Sequence, residues 1–414
     1  FCYCRSVEID FDPYGSDFIE DPYPELARIR EATPIFVKPG NGDGKPVWYL
    51  TRHREVHRSL RDRRIGRLNH SSVDREEWGL PPLNPELRPF HELEHSSMVW
   101  KEGPDHTRIR GLVAGAFRPK RIAALASRIT GHADRLLDIA IEKGSIDIVT
   151  EYAAPLSVRV IAEMIGAPTS DSLLMLGWSH RITQMYEHNA TADDARRAVK
   201  ASVEFSSYCA DLIEQRRICP ADDLITELCN AKSDEGIMSD QEIVSMMITL
   251  LNAGHEASVN TLANGMLGFM GAPDQWRRLT SGEVTPGAAV EEILRWDAAL
   301  QVFDRWVLVD DFEVAGELIP KYQRVTLLLG SANRDPNRYH NPDDLDVGRD
   351  DKSHVSFGGG IHKCVGAPLA RLELEIALAR LVARCPELEL VELPKRPPKK
   401  FVLRGFPSLK LAIV

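Results

Sequence analysis

No stretch of this chain is apolar for long enough to cross a membrane. A spanning helix needs about 18 or more apolar residues in a row. The longest candidate, residues 243–254, is interrupted by Ser245, Thr249 and Asn252. The first residues lack a signal-peptide pattern, so the expected setting is cytoplasmic, without a membrane partner. An excess of basic residues is missing too. The formal net charge is −10, which argues against a nucleic-acid partner. Cysteine is sparse and irregular: Cys2, Cys4, Cys209, Cys219, Cys229, Cys364 and Cys385 are odd in number and include no C-x-x-C pair. That pattern fits reduced thiols better than a disulfide framework or a zinc site, and it provides no iron–sulfur motif. No linker divides the 414 residues, so one domain over 1–414 is expected.

What is present is globular in character, with 43% apolar and 27% charged residues. Helical periodicity dominates, and β-type patterns gather at about 30–65 and 300–330. The expected class is therefore mainly α with smaller β-sheets. Asp21-Pro22 reads as a helix start. Ile35-Phe36-Val37 and Val47-Trp48-Tyr49-Leu50 flank a glycine-rich turn and read as a hairpin. Residues 66–100 are proline-rich without clear period and read as a long functional loop, with Trp78, Leu83, Leu87 and Phe90 as its apolar contacts. Ser239-Asp240-Gln241-Glu242 is a capping box. The helix it opens should run to about Met270, roughly 45 Å. Alternating runs at 311–319 and 324–329 read as strands.

Four constellations invite chemistry. Cys364 follows Phe357 and three glycines, Gly358, Gly359 and Gly360, and precedes Gly366, Pro368 and a helical run. Its sulfur should sit at a helix N-terminus, where free N–H groups favour a thiolate suited to haem iron; a buried structural cysteine is the alternative. His106 and Arg110 are four apart, so on a helix they share a face and can grip one anion. Gly254, inside the long helix, costs about 1 kcal/mol relative to Ala; a flat cofactor packed on the backbone would account for it. Glu292 and Arg295 form an i, i+3 ion pair. His255-Glu256 fails as a zinc-protease motif because Val259 stands where a second histidine is needed.

The string from Phe357 to Glu373 resembles the haem loop of cytochromes P450, F-G-x-G-x-H-x-C-x-G followed by A-x-x-L-A-R-x-E, and the resemblance extends over almost the whole chain. It implies the P450 fold, a helix-rich prism with haem b between the long helix and the Cys364 loop. Cys364 would be the axial ligand of the iron, on a loop with Phe357, Gly358 and Gly366. His106, Arg110, Arg305 and His362 would hold the propionates. Glu292, Arg295 and Arg349 would form a structural trio. The activity implied is O2-dependent insertion of one oxygen atom into a C–H bond of a small secondary metabolite. Electrons would come from NAD(P)H through a ferredoxin and its reductase, docking at Arg108, Arg118, Lys120, Arg121 and Lys363. The chain should act as a monomer, and the absent anchor resembles the bacterial branch.

The oxygen-binding helix departs from the family pattern. Leu251-Asn252-Ala253-Gly254-His255-Glu256-Ala257-Ser258 carries Ala257 where the family usually has threonine, and alanine neither donates nor accepts a hydrogen bond. Glu256 is retained. Ser258 lies about 100° round the helix, so a substrate hydroxyl or a water is expected to complete proton delivery, as in macrolide-hydroxylating relatives. Pocket contacts implied by position are Leu83, Phe90, Leu173, Leu176, Met185, Tyr186, Leu250, Ala253, Leu300, Val302, Phe303 and Leu403, the last in a terminal hairpin at 401–406. Tyr322 occupies a usual turn glycine, so that turn is expected to differ. Alternatives left open are cyclisation, phenol coupling or peroxide use, and a non-catalytic recruitment module.

Overall fold

The computed structural model describes residues 9–40, 45–68, 73–76, 78–80, 82–187, 189–233 and 236–414. The turn expected at 41–44, Pro81 of the expected loop, and Cys2 and Cys4 lie outside them. The β-type segments combine into one five-stranded sheet in the order Ile35–Lys38, Val47–Leu50, Arg324–Leu328, Val302–Val307 and Ile65–Gly66. The first two strands pair antiparallel, with Val37 opposite Trp48. Arg324–Leu328 then runs parallel to Val47–Leu50 and antiparallel to Val302–Val307. An aromatic cluster of Phe11, Phe18, Phe36 and Phe401 packs beside this sheet, and Val302 is buried within that cluster. Strand alternation sends neighbouring side chains to opposite faces, so Val302 belongs to this core, not to a pocket wall.

The helical body surrounds Asp240–Gly271, a helix of 32 residues. Its capping box closes as expected: Glu242 N–H donates to Ser239 Oγ (3.2 Å) and Ser239 N–H to Glu242 Oε2 (2.9 Å). Helices Arg88–Ser96, Ala154–Ile165, Ala192–Ile218 and Ala367–Arg384 pack around it. A helix apolar on most sides must be buried on most sides, and this one is. Gly254 has a different reason from the one expected: a Cβ there would lie 2.6 Å from Ile161 Cδ1. The glycine admits the neighbouring helix.

Several local expectations are corrected. The stretch 66–100 is not irregular throughout: Arg88–Ser96 is an α-helix burying Phe90, Leu93 and Glu94. Trp78 packs on Tyr322 and Trp306, with ring centroids 4.4 and 5.8 Å away. Tyr322 keeps the left-handed turn, with φ of 68°, so the glycine-type conformation survives under an aromatic contact. The segment 401–406 forms no hairpin of its own. It makes one bridge, Leu403 to Leu300, while the antiparallel pair near the C-terminus is Leu388–Leu390 with Lys410–Ile413. The first long helix is Tyr23–Ala32, with Pro22 at the N-cap, and Asp21 accepts the Tyr23 N–H at 3.2 Å.

Candidate haem-thiolate site

The glycine-rich loop is shaped by its neighbours. Gly358 and Gly360 have φ of 66° and 65°, the left-handed region that glycine enters without penalty. A Cβ on Gly360 would come 2.5 Å from the Leu60 carbonyl oxygen, so the loop is pressed against the end of helix His53–Ser59. Cys364 N–H donates to the Phe357 carbonyl (2.9 Å), and helix Ala367–Arg384 starts three residues on, with Gly366 at its N-cap. Cys364 is exposed by surface area, yet burial raises its thiol pKa. Both hold for a side chain on the wall of an internal cleft. The N–H groups of Gly366 and Ala367, with Arg110 and Arg371, act against that rise without reversing it. The helix end thus favours the thiolate, as expected from sequence, against the opposing effect of burial; a bound iron would complete the deprotonation, since a metal-bound thiol loses its proton. Behind the loop, the Arg371 guanidinium lies 4.5 Å from the Phe357 ring and pairs with Glu291 at 2.5 Å.

Beside the cysteine, buried positive charge accumulates. His106 is on helix Gly103–Ala114, 2% exposed, with its ring 4.6 Å from that of His362. Its Nε2 has no hydrogen-bond partner. Burial, with His362 and Arg110 nearby, drops its pKa to about 4. Arg110 donates to the Lys363 carbonyl at 2.6 Å. Arg305 is buried against the Phe303 ring (4.2 Å) and donates to the Asp304 carbonyl at 3.1 Å. Burial, then repulsion from Arg67, lowers its pKa to about 9.

Arg67 was not anticipated from sequence. It donates to the same Asp304 carbonyl at 3.0 Å, lies over Trp100 and Phe303, and leaves its Nε without a partner. An acid, also unanticipated, faces this group: Glu102 pairs with His362 Nε2 (2.8 Å) and accepts from the backbone N–H of Arg67 (2.5 Å). Burial works to raise the Glu102 carboxyl, but His362 and its other partners hold it low. Glu102 lies four residues before His106, one helical turn away, which was the only available sign of it. Nothing in the local sequence marks Arg67. The guanidiniums of Arg67, Arg305 and Arg110 gather here with two histidines, and although Glu102, Asp304 and Glu94 offset part of the charge, the cluster keeps buried donors without an acceptor. The two carboxylates of haem b fit it, and the free His106 Nε2 and Arg67 Nε are donors left for such a partner.

The central helix has one open strip. Ala253 is exposed, and Thr249, Gly254, Glu256 and Ala257 are half-buried, among buried neighbours. Residues 249, 253 and 257 share one face. Ser258 does not replace the missing threonine: it is 5% exposed and donates to the Gly254 carbonyl at 3.0 Å. Glu256 is near His180 Nε2 (3.3 Å), His255 Nε2 (3.5 Å) and the Thr183 hydroxyl (3.4 Å). Burial acts to raise its carboxyl, but His255, His180 and Lys400 outweigh it and bring it down to about 2.

The remaining expected contacts divide. Phe90 and Leu250 lie inside the main core, and Leu176 and Met185 pack on its edge. Tyr186 is held in a network, donating to Glu94 (3.1 Å) and accepting from Asn252 (3.4 Å). Leu83 and Leu403 are half-buried and Leu173 is exposed. Leu300 and Phe303 pack on the sheet cluster. A cavity of about 920 Å³ beside Tyr23, Asn264 and Arg396 includes none of these residues. Glu292, Arg295 and Arg349 do meet: Arg295 and Arg349 reach Glu292 at 2.8 and 3.2 Å, and both guanidiniums also cap carbonyls of residues 333–344. Among the expected docking cations, Arg108 is occupied by Glu242 at 2.6 Å and Arg121 by Asp222 and Glu227. Arg118, Lys120 and Lys363 are exposed.

The family model described as cytochrome P450 matches residues 287–410, which include the trio and the cysteine loop. Over its length the chain is 35% identical to the polyketide biosynthesis cytochrome P450 PksS of Bacillus subtilis, across 97% of this chain and 98% of the relative. It is 33% identical to the cytochrome P450 monooxygenase PikC of Streptomyces venezuelae, across 92% and 88%. Among solved structures, P450BioI in complex with an acyl carrier protein ligated to hexadec-9Z-enoic acid has a TM-score of 0.89 at 30% identity, covering 96% of this chain and 100% of that one. No described helix is long and apolar enough to cross a membrane. Near-complete coverage at this identity makes the chain a cytochrome P450, a monooxygenase that carries haem b on a cysteine thiolate, uses O2 and takes electrons from NAD(P)H through partner proteins.

Proposed function

We propose that this P450 hydroxylates a C–H bond of an oxygenated secondary metabolite of polyketide type, with Cys364 as the axial thiolate. When bound, haem b with a thiolate ligand would supply the activation of O2, one atom of which is inserted and the other released as water. The observation that carries the assignment of the site is the pair of buried donors left open beside Arg110 and Arg305, His106 Nε2 and Arg67 Nε. Arg67, His106, Arg110 and Arg305 are the proposed propionate partners, and Glu102 keeps His362 and Arg67 oriented toward the same place. Phe357, Gly358 and Gly366 shape the loop around the sulfur. The trio of Glu292, Arg295 and Arg349 is proposed to hold the segment that leads to this loop.

A part in proton delivery is assigned to Glu256. Its carboxylate is held low by His255, His180 and Lys400, so its proposed part is to anchor and orient the donors of a proton path rather than to store the proton itself. The buried Thr183 hydroxyl and the half-exposed His180 flank it, and His180 is the one of the two that reaches solvent. Ala257 offers no hydroxyl, and the Ser258 hydroxyl is engaged with its own helix. A substrate hydroxyl or a water is therefore proposed to replace the family's threonine. That requirement, with relatives named for polyketide biosynthesis, supports an oxygen-rich substrate. A ferredoxin and its reductase are the proposed electron donors, docking at Arg118, Lys120 and Lys363.

The ligand assignment is tested with Cys364→His. Wild-type protein should give the red-shifted reduced-CO band of thiolate ligation, and the variant should lose it while retaining haem through the imidazole. A variant that keeps the thiolate band would show that another cysteine binds iron. Spin-state titration against a panel of macrolactones, fatty acids and peptides then tests the substrate class; a response confined to fatty acids or peptides would overturn the polyketide assignment.

A further inference from the structure

We propose that His180, His255 and Glu256 form a binding site for one divalent cation of the zinc class, which ties helix Ser172–Thr183 to the central helix. The sequence motif at His255-Glu256 lacks its second histidine at position 259; the fold brings His180 from another helix instead. The ligand atoms of the three side chains all lie within 4.8 Å of one another. His180 Nε2 and His255 Nε2 are 3.3 and 3.5 Å from Glu256 Oε1. Ligands about 2.1 Å from a tetrahedral zinc are separated by about 3.4 Å, so these spacings need little adjustment.

The tautomer of His255 is the second observation. Its Nδ1 is 3.0 Å from the Leu251 carbonyl, which can only accept, so Nδ1 carries the hydrogen. In the neutral ring Nε2 is then a lone pair. It belongs to a residue 1% exposed, makes no close hydrogen bond among the described residues, and is turned to the Glu256 carboxylate 3.5 Å away. A buried imidazole nitrogen and a carboxylate oxygen that meet in this way are a pair that a cation, proton or metal, bridges. An imidazole whose Nδ1–H is fixed by a carbonyl is also the usual arrangement of a metal-binding histidine. His180 is half-exposed at 53%, which leaves a solvent side for a fourth, water ligand. The positive charge of Lys400 reaches both Glu256 and His180 and opposes the cation, so micromolar rather than tighter binding is expected.

The test uses the ferric haem protein, titrated calorimetrically with zinc chloride in chelator-treated buffer, alongside His180→Ala and Glu256→Gln. Wild type should bind one equivalent, and each substitution should weaken that binding at least tenfold. His180→Ala changes a half-exposed side chain, and its haem spectrum checks that the fold is kept. Zinc-edge X-ray absorption should show a nitrogen and oxygen shell with two imidazoles. No binding up to millimolar zinc, equal binding by His180→Ala, or a sulfur shell would each overturn the site. Bound cation should also slow turnover by engaging Glu256. That consequence rests on the proposed proton role, whereas the binding measurement does not, so the two can fail separately.

Discussion

Ala257 and Ser258 show how much a single side chain can decide. The alanine removes a hydroxyl from the open strip, and the adjacent serine cannot return it, because its own hydroxyl donates to the Gly254 carbonyl. Ala257→Thr should therefore leave the fraction of electrons coupled to product unchanged or lower it with the native substrate. Coupling is measured as product formed per NAD(P)H consumed, and a strong improvement would contradict substrate assistance. Glu292 is decisive in another way. It is 2% exposed and compensates two arginines. Removing one partner of such a buried ion pair leaves uncompensated charge and costs about 3–5 kcal/mol. Glu292→Ala should yield protein without incorporated haem, read as the ratio of Soret to protein absorbance.

The cysteine loop illustrates the element scale. Gly359 and Gly360 are neighbours with different constraints. Gly360 combines a φ of 65° with backbone contact at the Leu60 carbonyl. A side chain in that conformation costs about 1–2 kcal/mol before the clash is counted. Gly359 is extended, with φ of −164°, and a Cβ there meets mainly side-chain atoms of Leu60 and Arg61. Gly360→Ala should therefore lower the melting temperature and haem retention well beyond Gly359→Ala; equal effects would deny the role of Leu60. The long helix at Arg88–Ser96 was hidden in the sequence by flanking prolines. Phe90, Leu93 and Glu94 are nevertheless at helical spacing, and the buried Glu94 has partners, Trp100 and Tyr186, that no local pattern shows.

For the molecule as a whole, stability should depend on one carboxyl far along the helix that begins after the cysteine. Glu373 is 4% exposed, and burial raises its pKa to about 7. Unfolded, it titrates near about 4.3. The folded state thus holds a proton that the unfolded state releases between these values. Stability from this group falls as pH rises from about 4.5 to about 7 and then levels off, with about 4 kcal/mol as the upper limit. Glu373→Gln removes that slope, so its stability relative to wild type should improve from pH 5 to pH 8 in urea unfolding. A constant difference would mean that Glu373 is ionised in the fold. The net charge of −10 leaves room for a local basic face, but Arg108 and Arg121 bind acids of their own helices' neighbours, which narrows the exposed cations of that face to Arg118, Lys120 and Lys363.

The sequence by itself determined what is written in contiguous residues: the capped central helix, the turn into the cysteine loop, the helix after it, and the family to which their wording belongs. Short-range geometry is enough for these, since caps, glycine turns and helical periods act within a few residues. Only the tertiary structure decided what depends on distant partners. It placed Ile161 against Gly254 and Leu60 against Gly360, and it gave Val302 to the aromatic core. It gathered Arg67, Glu102 and Arg305 around one anion-seeking site, and it brought His180 to His255 and Glu256. Burial and electrostatic partnership are properties of packed space, and residues two hundred positions apart carry no local sign of meeting.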